Sequence, residues 1–258
     1  MSGTIKTKQE IEILRRGGKL LAGILKKVTT EVRAGVSTGY LDRLAESLIF
    51  ESGGTPSFKG YKIKGVKTPY PASLCTSIND EIVHAIPHEN RLLQEGDIVG
   101  VDIGMRWPAT NGLYTDMAVT VGVGKISKEA AHLIKRTEEA LAVGIHAVRA
   151  GVKIGDIGYK IQKYLEHYGY GVVRDLAGHG VGYKLHEEPL IPNFGKPGTG
   201  SELFENMVIA IEPMATLGSW KIELLDDEWT FRTADKSISA HFEHSLVVTK
   251  SGAEILTI

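Results

Sequence analysis

The chain has 258 residues, 42% of them hydrophobic, enough for one sizeable core or two small ones, and nothing in its composition is typical of disorder. Thirty basic residues against thirty-one acidic ones leave a formal charge of −1, so no global field draws the protein to nucleic acid or to an anionic membrane. One cysteine, Cys75, excludes an intrachain disulfide and a Cys-type structural zinc site, no apolar run nears the roughly 20 residues that span a bilayer, and the polar start Met1-Ser2-Gly3-Thr4-Ile5-Lys6 has no signal core, so cytoplasm is the expected compartment.

In chain order, the first forty residues read as a charged amphipathic helix. It opens with the capping-box pattern Thr7-Lys8-Gln9-Glu10, carries Ile11, Ile13, Leu14, Leu20, Leu21, Ile24 and Leu25, and is weakened locally by Gly17 and Gly18. Arg33-Ala34-Gly35-Val36-Ser37-Thr38-Gly39 then leads into a second helix through Leu41, Leu44, Leu48 and Ile49 that stops at Gly53-Gly54. β-Type segments follow at 73–87, 97–105 and 113–123. After a third predicted helix over 127–148, Arg149-Ala150-Gly151-Val152-Lys153-Ile154-Gly155 repeats the earlier phrase at five of seven positions and leads into a helix ending near Gly169. Further β-type segments cover 171–185, 207–217 and 240–249. Similar helical context around both phrases favours a duplicated helix-loop-helix unit over coincidence. The expected layout is α+β: two similar halves in one domain, 1–258, whose sheets join and whose helices cover one face, with a site at the interface between them.

Carboxylates among apolar β-type residues are costly to bury unless paired, protonated or bound to metal. Asp102 lies in one strand and Asp116 in the next, joined by the turn-rich Trp107-Pro108-Ala109-Thr110-Asn111-Gly112, so a hairpin can turn both to one side. Taken singly, Asp102 reads equally as a structural acid at a sheet end and Asp116 as a solvated acid near a turn. Glu212 directly follows the buried-strand pattern Met207 to Ile211 and precedes Pro213, which favours a functional carboxylate. Glu243, between His241 and His244, could equally sit on an exposed strand face. His179, bracketed by Gly178, Gly180 and Gly182, lacks the following helix of a dinucleotide loop, and His186-Glu187-Glu188 lacks the second histidine of a zincin. His84 alternates with apolar neighbours and reads as half-buried. Together the acids and His179 form a mixed oxygen and nitrogen set suited to Mn, Fe, Co or Zn.

In this order, Asp102, Asp116, Gly178-His179-Gly180-Val181-Gly182, His186-Glu187-Glu188-Pro189, Ile211-Glu212-Pro213-Met214 and Glu243-His244 resemble the type I methionine aminopeptidases of peptidase family M24, in the minimal bacterial-type form. The likeness runs from the first helix to the C-terminus. It implies the pita-bread fold, two pseudo-symmetric halves with a curved, mostly antiparallel sheet covered by helices. It implies that Asp102, Asp116, His179, Glu212 and Glu243 ligate two divalent cations, Asp116 and Glu243 bridging, and it admits a monovalent cation besides. The activity implied is removal of the initiator methionine from nascent chains with a small second residue, by attack of metal-activated hydroxide. Glu212 would shuttle the proton, His186 would bond the carbonyl or developing oxyanion, and His84 would assist near the scissile nitrogen.

By the same likeness Phe58, Tyr61, Tyr70, Cys75, Leu185 and Trp229, with His84 and His186, form the methionine pocket. Two departures fall here: the stretch between Tyr61 and Cys75 is longer than the family's compact loop, and Leu185 stands where phenylalanine is common. The hairpin around Trp107 is also lengthened. The expected partner is a nascent N-terminus, met by a monomer near the ribosome's exit tunnel, with no membrane and no specific nucleic acid. An Xaa-Pro aminopeptidase of the same fold is one alternative, though such relatives usually carry an extra N-terminal domain. A non-catalytic ribosome- or RNA-binding relative using Lys59, Lys62, Lys64 and Lys67 is another, against which retention of every expected ligand argues.

Overall fold

The computed structural model describes residues 3–258, so expectations attached to Met1 and Ser2 lie outside the described residues. Helix α1 (Lys8–Thr30) begins as its sequence dictates: the Thr7 hydroxyl accepts from the Glu10 amide and the Glu10 carboxylate accepts from the Thr7 amide. It ends well short of residue 40, where the chain turns into α2 (Thr38–Glu51), capped by Ser37. Gly17 and Gly18 act through space more than through flexibility. A Cβ on Gly18 would stand 2.3 Å from the Leu256 carbonyl oxygen, and one on Gly17 3.2 Å from Trp107 Cβ, so these glycines let α1 lie directly against the C-terminal segment and the long hairpin.

After α2 come β1 (Thr55–Pro56), β2 (Leu74–Ile78), β3 (Glu81–Val83), β4 (Ile98–Trp107) and β5 (Leu113–Gly122). The second half opens with α3 (Lys128–Ala147) and α4 (Ile154–His167), followed by β6 (Gly171–Val172), β7 (Ala177–Gly180), β8 (Glu187–Pro192), β9 (Val208–Ile211), β10 (Met214–Thr216), β11 (Ile222–Leu224), β12 (Phe231–Thr233), β13 (Ser239–His241), β14 (Glu243–Val248) and β15 (Ala253–Ile255). Of these, β1, β8, β11, β12 and β15 escape sequence patterning. Most are two or three residues long, too short to display a period of two.

The repeated phrase folds the same way twice. Gly35 and Gly151 take φ of +84° and +85°, the left-handed conformation that glycine adopts without a steric penalty. In the first copy the Gly35 amide donates to the Leu93 carbonyl and the Leu93 amide to the Val36 carbonyl; in the second, Gly151 donates to Leu203 and Leu203 to Val152. Each phrase therefore ties the start of its second helix to the loop entering the next long strand.

The main sheet has nine strands in the order β1-β4-β5-β14-β9-β7-β8, with β2 also on β4 and β15 on β14, every pairing antiparallel. Two three-stranded sheets, β13-β10-β6 and β11-β12-β3, flank it. On β4, Val99, Val101, Ile103 and Met105 pack with Leu21, Leu25, Val28, Leu41, Ala45 and Ile49 of α1 and α2. Ile209, Ile211, Leu246 and Val248 pack with Leu133, Leu141, Ile157 and Ile161 of α3 and α4. Val119 on β5 touches both cores, and the alternate residues of these strands face the opposite side of the sheet. Among the described residues no helix is long and apolar enough to cross a membrane.

Candidate metal centre and substrate pocket

Sheet register assembles the acids. Cys75 pairs with Asp102, Asp102 with Ala118, and Ala118 with Glu243, so these four side chains run in one row across β2, β4, β5 and β14. Asp116, two residues before Ala118, shares that face and lies opposite Gly104. A Cβ on Gly104 would meet the Ser57 hydroxyl oxygen at 2.1 Å and the Phe58 ring at 2.7 Å, so the glycine leaves room for the pocket wall. Ile211 pairs with His244 and points to the helical core; one step on, the chain reverses side and brings Glu212 alongside Glu243. The solvated readings of Asp116 and Glu243 fail here, since their residues are only 2% and 3% exposed.

His179 enters from β7, and its glycine bracket has a packing cause. A Cβ on Gly178 would stand 2.3 Å from the Ala210 carbonyl oxygen, and one on Gly180 2.4 Å from that of Glu188. The His179 Nδ1 lies 2.9 Å from the Gly180 carbonyl, which can only accept, so Nδ1 carries the proton and Nε2 keeps its lone pair. That Nε2 is 3.6 Å from Asp116 Oδ2, 3.6 Å from Glu212 Oε1 and 3.9 Å from Glu243 Oε1. Ligating atoms of His179, Glu212 and Glu243 lie within 4.8 Å of one another, as do those of Asp116, His179 and His186; Asp102 joins neither triplet and reaches the group through its row.

Electrostatics give the same cluster a demand for cations. Burial, reinforced by neighbouring acids, pushes the Asp102, Glu212 and Glu243 carboxyls well above their ordinary range. Burial raises Asp116 to about 6, with the nearby His186 and a hydrogen bond from Ser245 opposing it. Burial likewise holds His179 near 4, in the neutral form that ligates metal. Asp102 Oδ1 and Glu243 Oε1 are buried without a hydrogen-bond partner among the described residues. Carboxylate oxygens and one neutral imidazole, with orphaned acceptors among them, fit divalent cations, whose charge would offset that of the four acids.

A cavity of about 150 Å³ opens beside this cluster and is lined by every residue assigned above to the metal centre, the catalytic histidines or the methionine pocket. Phe58, Tyr61, Tyr70, Cys75, Leu185 and Trp229 form its apolar wall; His84 and His186 flank the acids. Tyr70 meets Phe58 and Trp229 edge-on at 6.5 and 5.2 Å between ring centres, and its hydroxyl is satisfied by the Leu74 and Ala85 carbonyls. The stretch after Tyr61 docks on this wall: Trp229 Nε1 donates to the Thr68 carbonyl, and Ile63 reaches the cavity. Sequence reasoning missed Ile63, Val83, Leu176, Ala177, Leu190 and Met214. Met214, two residues beyond Glu212, carried a signal by proximity; Ile63 and Leu190 are exposed rim residues with none.

His84 holds φ +60°, a strained conformation for a side chain other than glycine, which directs the main chain sharply at the end of β3. His186 Nδ1 lies 2.6 Å from the Tyr61 hydroxyl, and its ring meets that of His179 at 4.4 Å. The loop carrying Leu185 and His186 is held from behind. Glu187 accepts from the amides of Tyr183 and Lys184, from the Thr4 hydroxyl, and from Lys6 Nζ at 2.8 Å; Lys6, fully buried, also lies 4.5 Å from the centre of the Tyr183 ring.

The metallopeptidase family M24 model matches residues 12–250. A methionine aminopeptidase of Clostridium acetobutylicum is 44% identical over 254 residues, covering 98% of each chain. The crystal structure of methionine aminopeptidase from Rickettsia prowazekii superposes with a TM-score of 0.94 at 40% identity, covering 99% of this chain and 100% of that one. An Xaa-Pro dipeptidase from Bacillus anthracis has a TM-score of 0.75 at 21% identity, covering 98% of this chain and 61% of that one, a likeness of fold alone.

Proposed function

Because the chain belongs to metallopeptidase family M24, and within it to the methionine aminopeptidases of pita-bread fold, we propose that it removes the N-terminal methionine from polypeptides whose second residue is small. One observation carries the reading: a row of buried acids beside a metal-competent His179 Nε2 opens into an aromatic pocket. Asp102, Asp116, His179, Glu212 and Glu243 would hold two divalent cations, drawn from Mn, Fe, Co or Zn. Such cations lower the pKa of a bound water and polarise a carbonyl.

The chain's own groups do the rest. Glu212, with its pKa raised by burial and then by Asp116 and Asp102, is suited to take a proton and return it to the departing amine. His186 Nδ1 can accept from the Tyr61 hydroxyl, which leaves Nε2–H to donate to the oxyanion, a contact worth about 3 kcal/mol by comparison with other single donors. His84, held near 4 by burial and then by His186 and His179, stays neutral and can hydrogen-bond near the scissile nitrogen. Phe58, Tyr61, Tyr70, Cys75, Leu185 and Trp229 would enclose the flexible thioether. We extend the reading to a monomeric, single-domain cytoplasmic enzyme acting on nascent chains, with the exposed Lys62 and Lys64 near the mouth available to a ribosome.

Peptide release tests it. Protein stripped of metal should be inactive, and Mn, Fe or Co should restore methionine release from Met-Ala-Ser but not from Met-Lys-Ser. Full activity in chelator, or preference for Xaa-Pro peptides, would overturn the proposal.

A further inference from the structure

His241 is an imidazole at the centre with no part in the chemistry above. It closes β13 opposite Met214, in chain order two residues before Glu243. Thr120 of β5 clamps its main chain at both polar atoms, donating to the His241 carbonyl at 2.8 Å and accepting from its amide at 2.9 Å. The residue is 3% exposed, and its Nε2 has no hydrogen-bond partner among the described residues. An unpaired polar atom at that depth is costly and asks for a partner.

The group it faces is the Glu212 carboxylate. His241 Nε2 stands 3.7 Å from Glu212 Oε2, while Glu212 Oε1 on the other side stands 3.6 Å from His179 Nε2. Glu212 is fixed at its backbone, where Asn193 Nδ2 donates to its carbonyl at 2.9 Å and Pro213 follows. Its side chain has three torsions and, among the described residues, no hydrogen bond that fixes them. A small turn of the carboxylate would close the 3.7 Å gap to hydrogen-bond length, engaging Oε2 and leaving Oε1 towards His179 and Glu243.

We propose that His241 is a positioning residue, donating Nε2–H to Glu212 Oε2 and so fixing which oxygen of Glu212 faces the cation-binding cluster. The role rests on the proposed peptidase function only for its activity readout. A donor behind a ligand holds its orientation, and loss of such a donor costs about 10- to 100-fold in metal affinity or activity in other proteins.

Two variants separate donor from bulk: His241→Leu removes the donor, and His241→Gln keeps one on a side chain of similar reach. Calorimetric titration of the metal-free proteins with Mn should give a dissociation constant about 10-fold higher for the Leu variant and within about 3-fold of the parent for Gln. With Met-Ala-Ser at saturating Mn, kcat should fall about 10-fold for Leu while KM stays within about 2-fold, and Gln should restore kcat. The imidazole nitrogen spectrum of the unsubstituted protein should report Nε2 protonated, a readout that needs no variant to fold. A Leu variant that binds Mn and turns over like the parent, a Gln variant no better than Leu, or a bare Nε2 would each overturn the role. Failure of the parent to release methionine would sink the peptidase reading instead, with the Mn affinities still deciding His241.

Discussion

Replacing Lys6 by methionine should destabilise the fold measurably and slacken the loop that bears His186. Methionine keeps most of the stem's volume and deletes the ammonium group, so the change removes the ion pair with Glu187, the hydrogen bond to Thr4 and the contact over the Tyr183 ring while largely preserving the packing of the stem. The Lys6 side chain is 0% exposed and that of Glu187 6%, so the carboxylate left behind would be a buried, uncompensated charge. Breaking such a pair costs about 3–5 kcal/mol. Glu187 keeps three other donors, the Thr4 hydroxyl and the Tyr183 and Lys184 amides, which puts the expected loss at the lower end, about 3 kcal/mol. Urea unfolding followed by tryptophan fluorescence measures it. A pH signature accompanies the loss: burial tends to raise the Glu187 pKa, but the hydrogen bonds from Lys6, Thr4 and Lys184 hold it below the ordinary 4.5. In the parent, that stabilisation is present above 4.5 and lost as pH falls through the lower folded value. Without Lys6 the folded pKa rises, protonation then relieves the buried charge, and the gap between variant and parent should narrow as the pH falls towards 4.5. A variant within about 0.5 kcal/mol of the parent at pH 7 would refute the reasoning.

Glu212→Gln should keep the fold and lower kcat for Met-Ala-Ser at least about 10³-fold, which steady-state kinetics on the Mn-loaded protein would detect. Excess Mn should raise the Tm of metal-free protein more at pH 7.5 than at pH 5.5, because protons compete with the cation for the buried carboxylates, Asp116 with a pKa of about 6 among them; scanning calorimetry with and without Mn tests the sign. Two glycines of α1 should respond oppositely to alanine. At Gly18 the new methyl meets a backbone carbonyl at 2.3 Å and should cost about 2 kcal/mol or more, whereas at exposed Gly23 nothing lies within 4 Å and a gain of about 0.5–1 kcal/mol is expected in denaturant titration.

The site was legible where burial conflicts with chemistry. Asp102 in an apolar strand and Glu212 directly after one needed a cause, and the sheet supplies it by register. The duplicated Arg-Ala-Gly-Val phrase was legible because its glycine must adopt positive φ in both copies. Lys6 was not legible: a lysine near the N-terminus reads as solvated, and only pairing across 181 residues buries it. Strands such as β11 and β15 owe their existence to neighbours distant in sequence and have too few residues to carry a pattern of their own. Ile63 and Leu190 line the cavity from an exposed rim, where burial imposes no hydrophobic pattern.

The seam between the halves has a temporal meaning. Strand β5 meets β14 through only two register pairs, Glu243 with Ala118 and His244 with Met117, and one of those two carries an acid of the cluster. Asp102 and Asp116 precede His179, Glu212 and Glu243 along the chain, on the far side of α3 and α4. A chain folded only as far as β5 would own two of the five proposed ligands, so the proposed centre would form only once β14 had paired with β5, and cation capture would then report that the two halves had found each other.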